Sequence, residues 1–325
     1  MDSNILMAVI TLLISFGITI VAMPLFIPML HKLKFGQAIR DDGPQSHLVK
    51  QGTPTMGGIV FVLATLLTML IFRSDIFFSA QGLAITIVFI GFFLIGLVDD
   101  LLIVIKKKND GVSPKQKLLL QALITIILIV LFPTFFADGK MTTVNFFFFE
   151  LNLHQLYVVF ALIMFVAYSN AINFTDGLDG LSSITVAIAL VFMAIIAFYQ
   201  NQFIELGYIA ALVGGLLGFY LFNKRPAKVF MGDTGSLALG GFYAIMALLL
   251  KIELLSMVIG LIFVLEALSV VIQILYYKKT KKRFFRMAPI HHHFEMGKLK
   301  ESGTVLMFYA FGLIFGLIGM VIYFV

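Results

Sequence analysis

Apolar runs of about twenty residues recur along almost the whole of this chain, and few sequence properties restrict a fold more. A helix crossing about 30 Å of hydrocarbon needs about that many apolar residues. Ten runs can be marked: Ile5–Leu30, Gly57–Phe72, Leu83–Ile105, Leu118–Phe136, Leu156–Ala171, Leu181–Tyr199, Leu206–Phe222, Ser236–Leu250, Leu254–Tyr277 and Val305–Val325. Backbone groups inside lipid must satisfy one another, so helices are expected, and the alternating pattern of a membrane barrel is missing. Of the 325 residues, 61% are apolar and only 12% charged, and the mean hydropathy is +1.05. That leaves no room for a soluble domain between the runs. The expected fold is an all-α, polytopic integral membrane protein of about ten transmembrane helices, forming a single domain over residues 1–325.

The first run follows Asp2 rather than a basic segment and continues past Pro24 and Pro28 to His31, so it reads as a retained span and not a cleaved signal. The absence of cysteine excludes disulfides, thiolate metal ligands and a cysteine nucleophile. No internal repeat of the inverted-transporter kind is evident. Phe146–Phe149 read as an interfacial anchor in a chain without Trp.

Basic residues set the orientation, because basic loops resist translocation. The segments 31–54, 106–117, 223–228 and 278–300 carry 4, 5, 3 and 8 Lys or Arg, whereas Arg73, Lys140 and Lys251 stand alone in the opposite set. Both termini are then expected outside, with loops 31–54, 106–117, 170–180, 223–235 and 278–303 in the cytoplasm.

Nearly every polar signature falls in those five loops. Asp99 and Asp100 end a span, where adjacent carboxylates are costly without a cation such as Lys106–Lys108; a solvated, ion-paired helix end is the plainer alternative. The match to a DDxxD diphosphate motif fails, since Leu or Ile fills the third acidic position. In Ser169–Leu181, Asn170, Asn173, Asp176 and Asp179 recur every third residue and would share one face of a helical turn, while Gly177 and Gly180 admit a ligand close to the backbone. Such a face suits a nucleoside or hydrated magnesium, although an Asx-rich helix cap explains Asp176 or Asp179 singly.

In Asn223–Ser236, Lys224, Arg225 and Lys228 can face phosphates or serve only topology. Asp233, between glycines ahead of a span, is the best single metal candidate. His291, His292 and His293 are consecutive, so from a helix they point about 100° apart and cannot ligate one ion together; they suggest anion contacts or proton handling. Their place between Pro289 and Phe294 also argues against an expression tag. Lys50 and Thr55, in a Gly- and Pro-rich entry to the second span, either shape a turn or hold a phosphate. Glu266 and Gln273 lie near one face of the ninth span, and an ionisable group at such depth normally faces a polar interior.

The ordered set Lys50-x-Gly-Thr-Pro-Thr-Met-Gly-Gly, Asp99-Asp100, Asn170-Ala-x-Asn-x-Thr-Asp-Gly-Leu-Asp-Gly-Leu, Pro226-Ala-Lys-Val-Phe-Met-Gly-Asp-Thr-Gly-Ser and Pro289-Ile-His-His-His-Phe-Glu resembles the phospho-N-acetylmuramoyl-pentapeptide transferase family, within the polyprenyl-phosphate N-acetylhexosamine-1-phosphate transferases. The resemblance covers nearly the whole chain. It implies a homodimeric ten-helix enzyme of the bacterial cytoplasmic membrane that uses magnesium to move phospho-MurNAc-pentapeptide from UDP-MurNAc-pentapeptide to undecaprenyl phosphate, giving lipid I and UMP; no nucleic-acid partner is implied. By the same resemblance Asp233 is the magnesium ligand, Asp99 and Asp100 the catalytic acidic pair, Asp176 a further essential acid, and His291, His292 and His293 a motif needed for full activity. Lys50, Thr55, Asn170, Gly177, Leu178, Asp179, Asn223, Phe230 and Gln273 match positions that contact nucleoside or phosphates, and Asn173 sits within the same motif. Where many members carry Lys three residues after the acidic pair, this chain has Ile103, with Lys106 the nearest substitute.

A phosphomonoester with a second pKa near about 6 is mostly ionised at neutral pH, so direct attack by the lipid phosphate needs no strong base. In that scheme Asp99 accepts any residual proton, and Asp100 orients the metal or Lys115. A covalent phospho-sugar aspartyl intermediate is the rival. Two other functions compete: a sister transferase using UDP-N-acetylglucosamine, and a divalent-cation transporter, which would need more deep carboxylates than Glu266.

Overall fold

The computed structural model describes residues 3–33, 50, 52–106, 111–137, 139–146 and 149–325. Among them the chain is almost entirely helical, as its apolar runs require. The helices are α1 Ser3–Lys32, α2 Gly58–Phe72, α3 Ser74–Phe77, α4 Ala80–Lys106, α5 Pro114–Leu131, α6 Leu156–Thr175, α7 Leu181–Tyr199, α8 Phe203–Asn223, α9 Gly232–Leu249, α10 Glu253–Ile259, α11 Leu261–Thr280, α12 Ile290–Glu295 and α13 Glu301–Phe324. Nine of these are long and apolar enough to span a bilayer, and α2, with 15 residues, is a shorter apolar helix.

Two runs fold differently from the expected spans. Leu118–Phe136 becomes a helix that starts earlier and stops sooner: Ser113 and Gln116 cap each other reciprocally with Pro114 at the first position, and the helix ends ahead of Pro133. Leu254–Tyr277 is broken after Ile259 into α10 and α11. Gly260 sits at the break with φ −99°, and the Tyr243 hydroxyl donates to the Ser256 carbonyl there at 2.7 Å.

Helices α8 and α9 form the centre, with 78% and 83% of their spanning residues buried, against 17–28% for α1, α5, α11 and α13. Small residues let α9 take that place, since Gly, Ala and Ser allow backbones to approach without a hydrophobic force between helices. At Gly240 a Cβ would strike the backbone of Ser169 in α6. The outer helices turn Leu13, Leu25, Val130, Leu275 and Val321 outward, an arrangement suited to acyl chains rather than water. Several buried threonines inside spans return their hydroxyls to their own helix, as Thr65 does to the Phe61 carbonyl at 2.8 Å and Thr185 to that of Leu181 at 2.8 Å.

The segments that carry the polar signatures all lie at one end of the bundle, between the last turns of α1, α4, α6, α8 and α11 and the first turns of α2, α5, α7, α9 and α13. At the other end a short antiparallel ribbon pairs β1 (Thr143–Asn145) with β2 (Glu150–Asn152), Val144 opposite Leu151. Of the Phe146–Phe149 run, Phe147 and Phe148 lie outside the described residues, while the rings of Phe146 and Phe149 stack at 5.1 Å. Two of the three isolated cations of this end, Lys251 and Arg73, are taken up structurally. Lys251 donates to Met141 O and Tyr157 Oη, both at 2.9 Å, and pairs with Glu253; Arg73 pairs with Asp75.

Candidate active site

The last turns of α4 carry Asp99 and Asp100, and the first turn of α9 carries Asp233. One carboxylate oxygen from each of the three lies within 4.8 Å of the others. Asp99 and Asp100 are 2% and 5% exposed, whereas the Asp233 side chain keeps 23% of its surface. Asp233 is therefore the member that opens to a ligand.

Each carboxylate is held by different groups. Asp100 works as a helix cap from a neighbouring helix: its Oδ1 accepts from Asp233 N–H at 3.2 Å, and its Oδ2 from Thr234 N–H at 2.9 Å and the Thr234 hydroxyl at 2.6 Å. Those amides are orphan donors at the start of α9, so Asp100 is spent on fixing that turn. Gly232 makes this possible, because its φ of +74° favours glycine and a Cβ there would meet Asp100 and Thr55. Asp99 accepts from Val112 N–H at 2.6 Å and pairs with Lys117 at 2.9 Å. Lys117 also reaches Asp233 Oδ2 at 2.5 Å, and Asn173 donates to Asp233 Oδ1 at 2.9 Å and to Ser236 Oγ at 2.8 Å.

Lys117, not Lys115, is thus the cation at the acidic cluster. Lys115 and Lys106 are exposed, and Lys107 and Lys108 lie outside the described residues. The two α5 lysines are two positions apart and so point about 200° apart. A sequence signal did exist: Lys117, Gln121 and Thr125 recur every fourth residue, and Gln121 and Thr125 are fully buried. Gln121 in turn donates to Ser169 Oγ at 3.1 Å and accepts from Asn170 Nδ2 at 3.0 Å.

The four-residue rhythm Asn170, Asn173, Asp176, Asp179 does not continue on one helical face. α6 ends at Thr175, and Gly180 at φ +78° carries the chain into α7. Asn170 and Asn173 face α5 and α9 from the helix, Asp176 is its C-terminal cap residue, and Asp179 sits in the turn. Burial first, then the carboxylates of Asp233, Asp100 and Asp179, push Asp176 well above the usual carboxylate range.

Asp179 opens a second cluster. Its Oδ1 accepts from Lys50 Nζ at 2.7 Å and its Oδ2 from Ala227 N–H at 3.1 Å. Lys50 donates as well to Glu301 Oε1 at 2.5 Å, a residue that the sequence reading missed. Asn223 accepts from Gly180 N–H at 3.1 Å and donates to Val229 O at 3.0 Å, tying the turn to the 223–231 loop. Phe230 pairs its backbone with Pro54 and Gly57, which brings the Lys50–Gly58 segment and buried Thr55 beside Gly232. Leu178 is buried between these groups.

The three histidines go to three different partners, as adjacent residues of a short helix must. His291 Nδ1 meets Glu266 at 3.0 Å, both fully buried, and its Nε2 faces Gly177. His292 meets Glu295 at 3.0 Å, and His293 accepts from Arg286 N–H at 3.2 Å. Gln273 accepts from the Phe284 and Phe285 amides at 3.1 and 2.9 Å, anchoring the loop before α12.

A hard, oxygen-seeking divalent cation fits the first cluster, which offers carboxylate oxygens only and sets three carboxylates against one ammonium. Thiolate or imidazole donors are not part of that cluster.

The model of the glycosyl transferase family 4 matches residues 81–251, and that of the phospho-N-acetylmuramoyl-pentapeptide-transferase signature 1 matches residues 50–62. A phospho-N-acetylmuramoyl-pentapeptide-transferase of Listeria welshimeri is 48% identical over 314 residues, 95% of each chain. Proteins of the same name from Anoxybacillus flavithermus and Staphylococcus saprophyticus are 46% identical over 95% of each chain and 45% identical over 97% of this chain and 98% of the relative.

Proposed function

Since the chain belongs to the phospho-N-acetylmuramoyl-pentapeptide-transferase family, we propose that it transfers phospho-MurNAc-pentapeptide from UDP-MurNAc-pentapeptide to undecaprenyl phosphate, releasing UMP and forming lipid I, at the cytoplasmic face of a bacterial membrane and with magnesium. The convergence of Asp99, Asp100, Asp233 and Lys117 from three helices carries the chemical part of this reading. The Lys and Arg bias toward the same end supports a cytoplasmic side for the site and an outer side for both chain ends. A homodimer is implied by the family resemblance.

Both substrates are phosphate anions, so neutralising charge is the first task of the site. A divalent cation held by Asp233, with Asp99 beside it, would supply that neutralisation at the diphosphate and the departing UMP. Lys117 bridges Asp99 and Asp233 and adds a fixed positive charge where the phosphates meet. Asp100 keeps the α9 turn, and with it Asp233, in one orientation. The ionised lipid phosphate attacks the phosphorus attached to the sugar, and the bond to the UMP oxygen breaks. Asp99, held by Lys117 and the Val112 amide, would accept any residual proton. Asp176 and Asn173 line the same opening, and His291, His292 and His293 stiffen the α11–α13 connection around Gly177.

Lys50 serves the nucleotide. Lys50 and Arg225 are balanced by Asp179 and Glu301, so this subsite has little net charge with which to attract phosphate. It suits the neutral nucleoside half, with Asp179 and Asn223 holding the turn beside Lys50; Thr55, Asn170, Gly177, Leu178, Phe230 and Gln273 are assigned to the same substrate half by the family resemblance.

Purified protein in detergent should release UMP from UDP-MurNAc-pentapeptide only when undecaprenyl phosphate and magnesium are both present, and EDTA should stop the reaction reversibly. Equal or greater turnover of UDP-N-acetylglucosamine would instead make it a sister transferase.

A further inference from the structure

Glu301 is 4% exposed, at the first turn of α13, and far in sequence from every group it touches. A carboxylate at a helix N-terminus is favourable in its own right, but that alone would leave it in water. Here Oε1 accepts from Lys50 Nζ at 2.5 Å and from Asp179 N–H at 3.1 Å, and Oε2 lies 3.5 Å from Arg225. Three loops that enter the bundle separately, around residues 50, 179 and 225, therefore meet on one side chain. The same helix reaches the turn again two turns later, where the Tyr309 hydroxyl donates to the Gly180 carbonyl at 2.7 Å. Lys50 is the only described basic residue that joins Asp179 to another carboxylate, and without Glu301 it would be held from one side only.

We propose that Glu301 is a positioning residue for the nucleotide subsite: it fixes Lys50 and the Asp179 backbone in the arrangement that receives the UDP half of the substrate, without touching the reacting phosphates. The proposal rests on the reading of Lys50 and Asp179 as nucleotide contacts. Because it acts on binding and not on the acidic cluster, its loss should appear in KM and not in kcat. A charge-assisted bond of this kind corresponds to about a tenfold change in affinity.

Steady-state UMP release in detergent tests this with Lys50→Met, Glu301→Gln, Glu301→Asp and the Lys50→Met/Glu301→Gln pair, each first compared with the parent protein by thermal unfolding. Glu301→Gln should raise KM for UDP-MurNAc-pentapeptide about tenfold, with kcat within about twofold and KM for undecaprenyl phosphate unmoved. Lys50→Met should raise the same KM, and the double variant should fall clearly short of the product of the two single effects, since both remove the Lys50–Glu301 contact while Glu301 alone also holds the Asp179 amide. Glu301→Asp, too short to hold both donors, should fall between the parent and Glu301→Gln, and it serves as the test if the Gln variant does not accumulate folded. Additive effects, or a fall in kcat at unchanged KM, would overturn the role of Glu301. If Lys50→Met left KM unmoved, the nucleotide reading of Lys50 would fall and the proposal with it; a KM raised by Lys50→Met but not by either Glu301 variant refutes the role of Glu301 alone.

Discussion

Asp233→Asn should lower kcat for UMP release by about 10³-fold or more while the protein keeps its detergent melting temperature. Asn has nearly the shape of Asp, so the bond from Asn173 and the packing of α9 can survive. What disappears is the one carboxylate of the cluster that is open to a ligand, and with it the charge that would hold a cation against the diphosphate. Stabilisation of charge in the transition state is worth several kcal/mol, at about 1.4 kcal/mol for each factor of ten. Asp100→Asn should behave differently. Its oxygens are committed to the α9 amides and Thr234, so its loss should lower the melting temperature as well as activity.

The second large effect is expected in α5. Lys117→Met should lower kcat by about 10²-fold, whereas Lys115→Met should leave it within about twofold. Lys117 holds Asp99 and Asp233 together at 2.9 and 2.5 Å; removing it leaves buried like charges unopposed and the two carboxylates free to separate. Lys115 is exposed to solvent, where ion pairs contribute little. Equal losses in the two variants, measured as UMP release at saturating substrates, would contradict the assignment of the cationic role to Lys117.

These two lysines also show how far the sequence could be read. Apolar runs fix spans because lipid leaves the backbone no other solution, so the all-α architecture was legible throughout. The breaks were less so. Gly260 interrupts a run whose composition is continuous, and what makes the interruption local is a bond from Tyr243 in another helix. Asp233 stood out because a carboxylate between glycines ahead of a span has few structural uses. The choice between Lys115 and Lys117 depended on helix rotation, which the polar spacing Lys117, Gln121, Thr125 encodes and a search for charge alone overlooks. The Asn170–Asp179 rhythm implied a single face, yet the glycines that make the turn useful also end the helix after two of its members. Glu301 left only a faint mark, an acid just ahead of the last apolar run, since its partners Lys50, Asp179 and Arg225 are all remote in sequence. The one deep carboxylate that a transporter reading would need, Glu266, is paired with His291 and fully buried.

A divalent cation held by Asp233, with Asp99 beside it, is the centre of the proposed chemistry, and Mn²⁺ titration followed by electron paramagnetic resonance tests it directly. Wild-type protein with UMP should bind one Mn²⁺ tightly, with magnesium competing for it, and Asp233→Asn should lose that ion while remaining folded. Undiminished Mn²⁺ binding in Asp233→Asn would contradict the account.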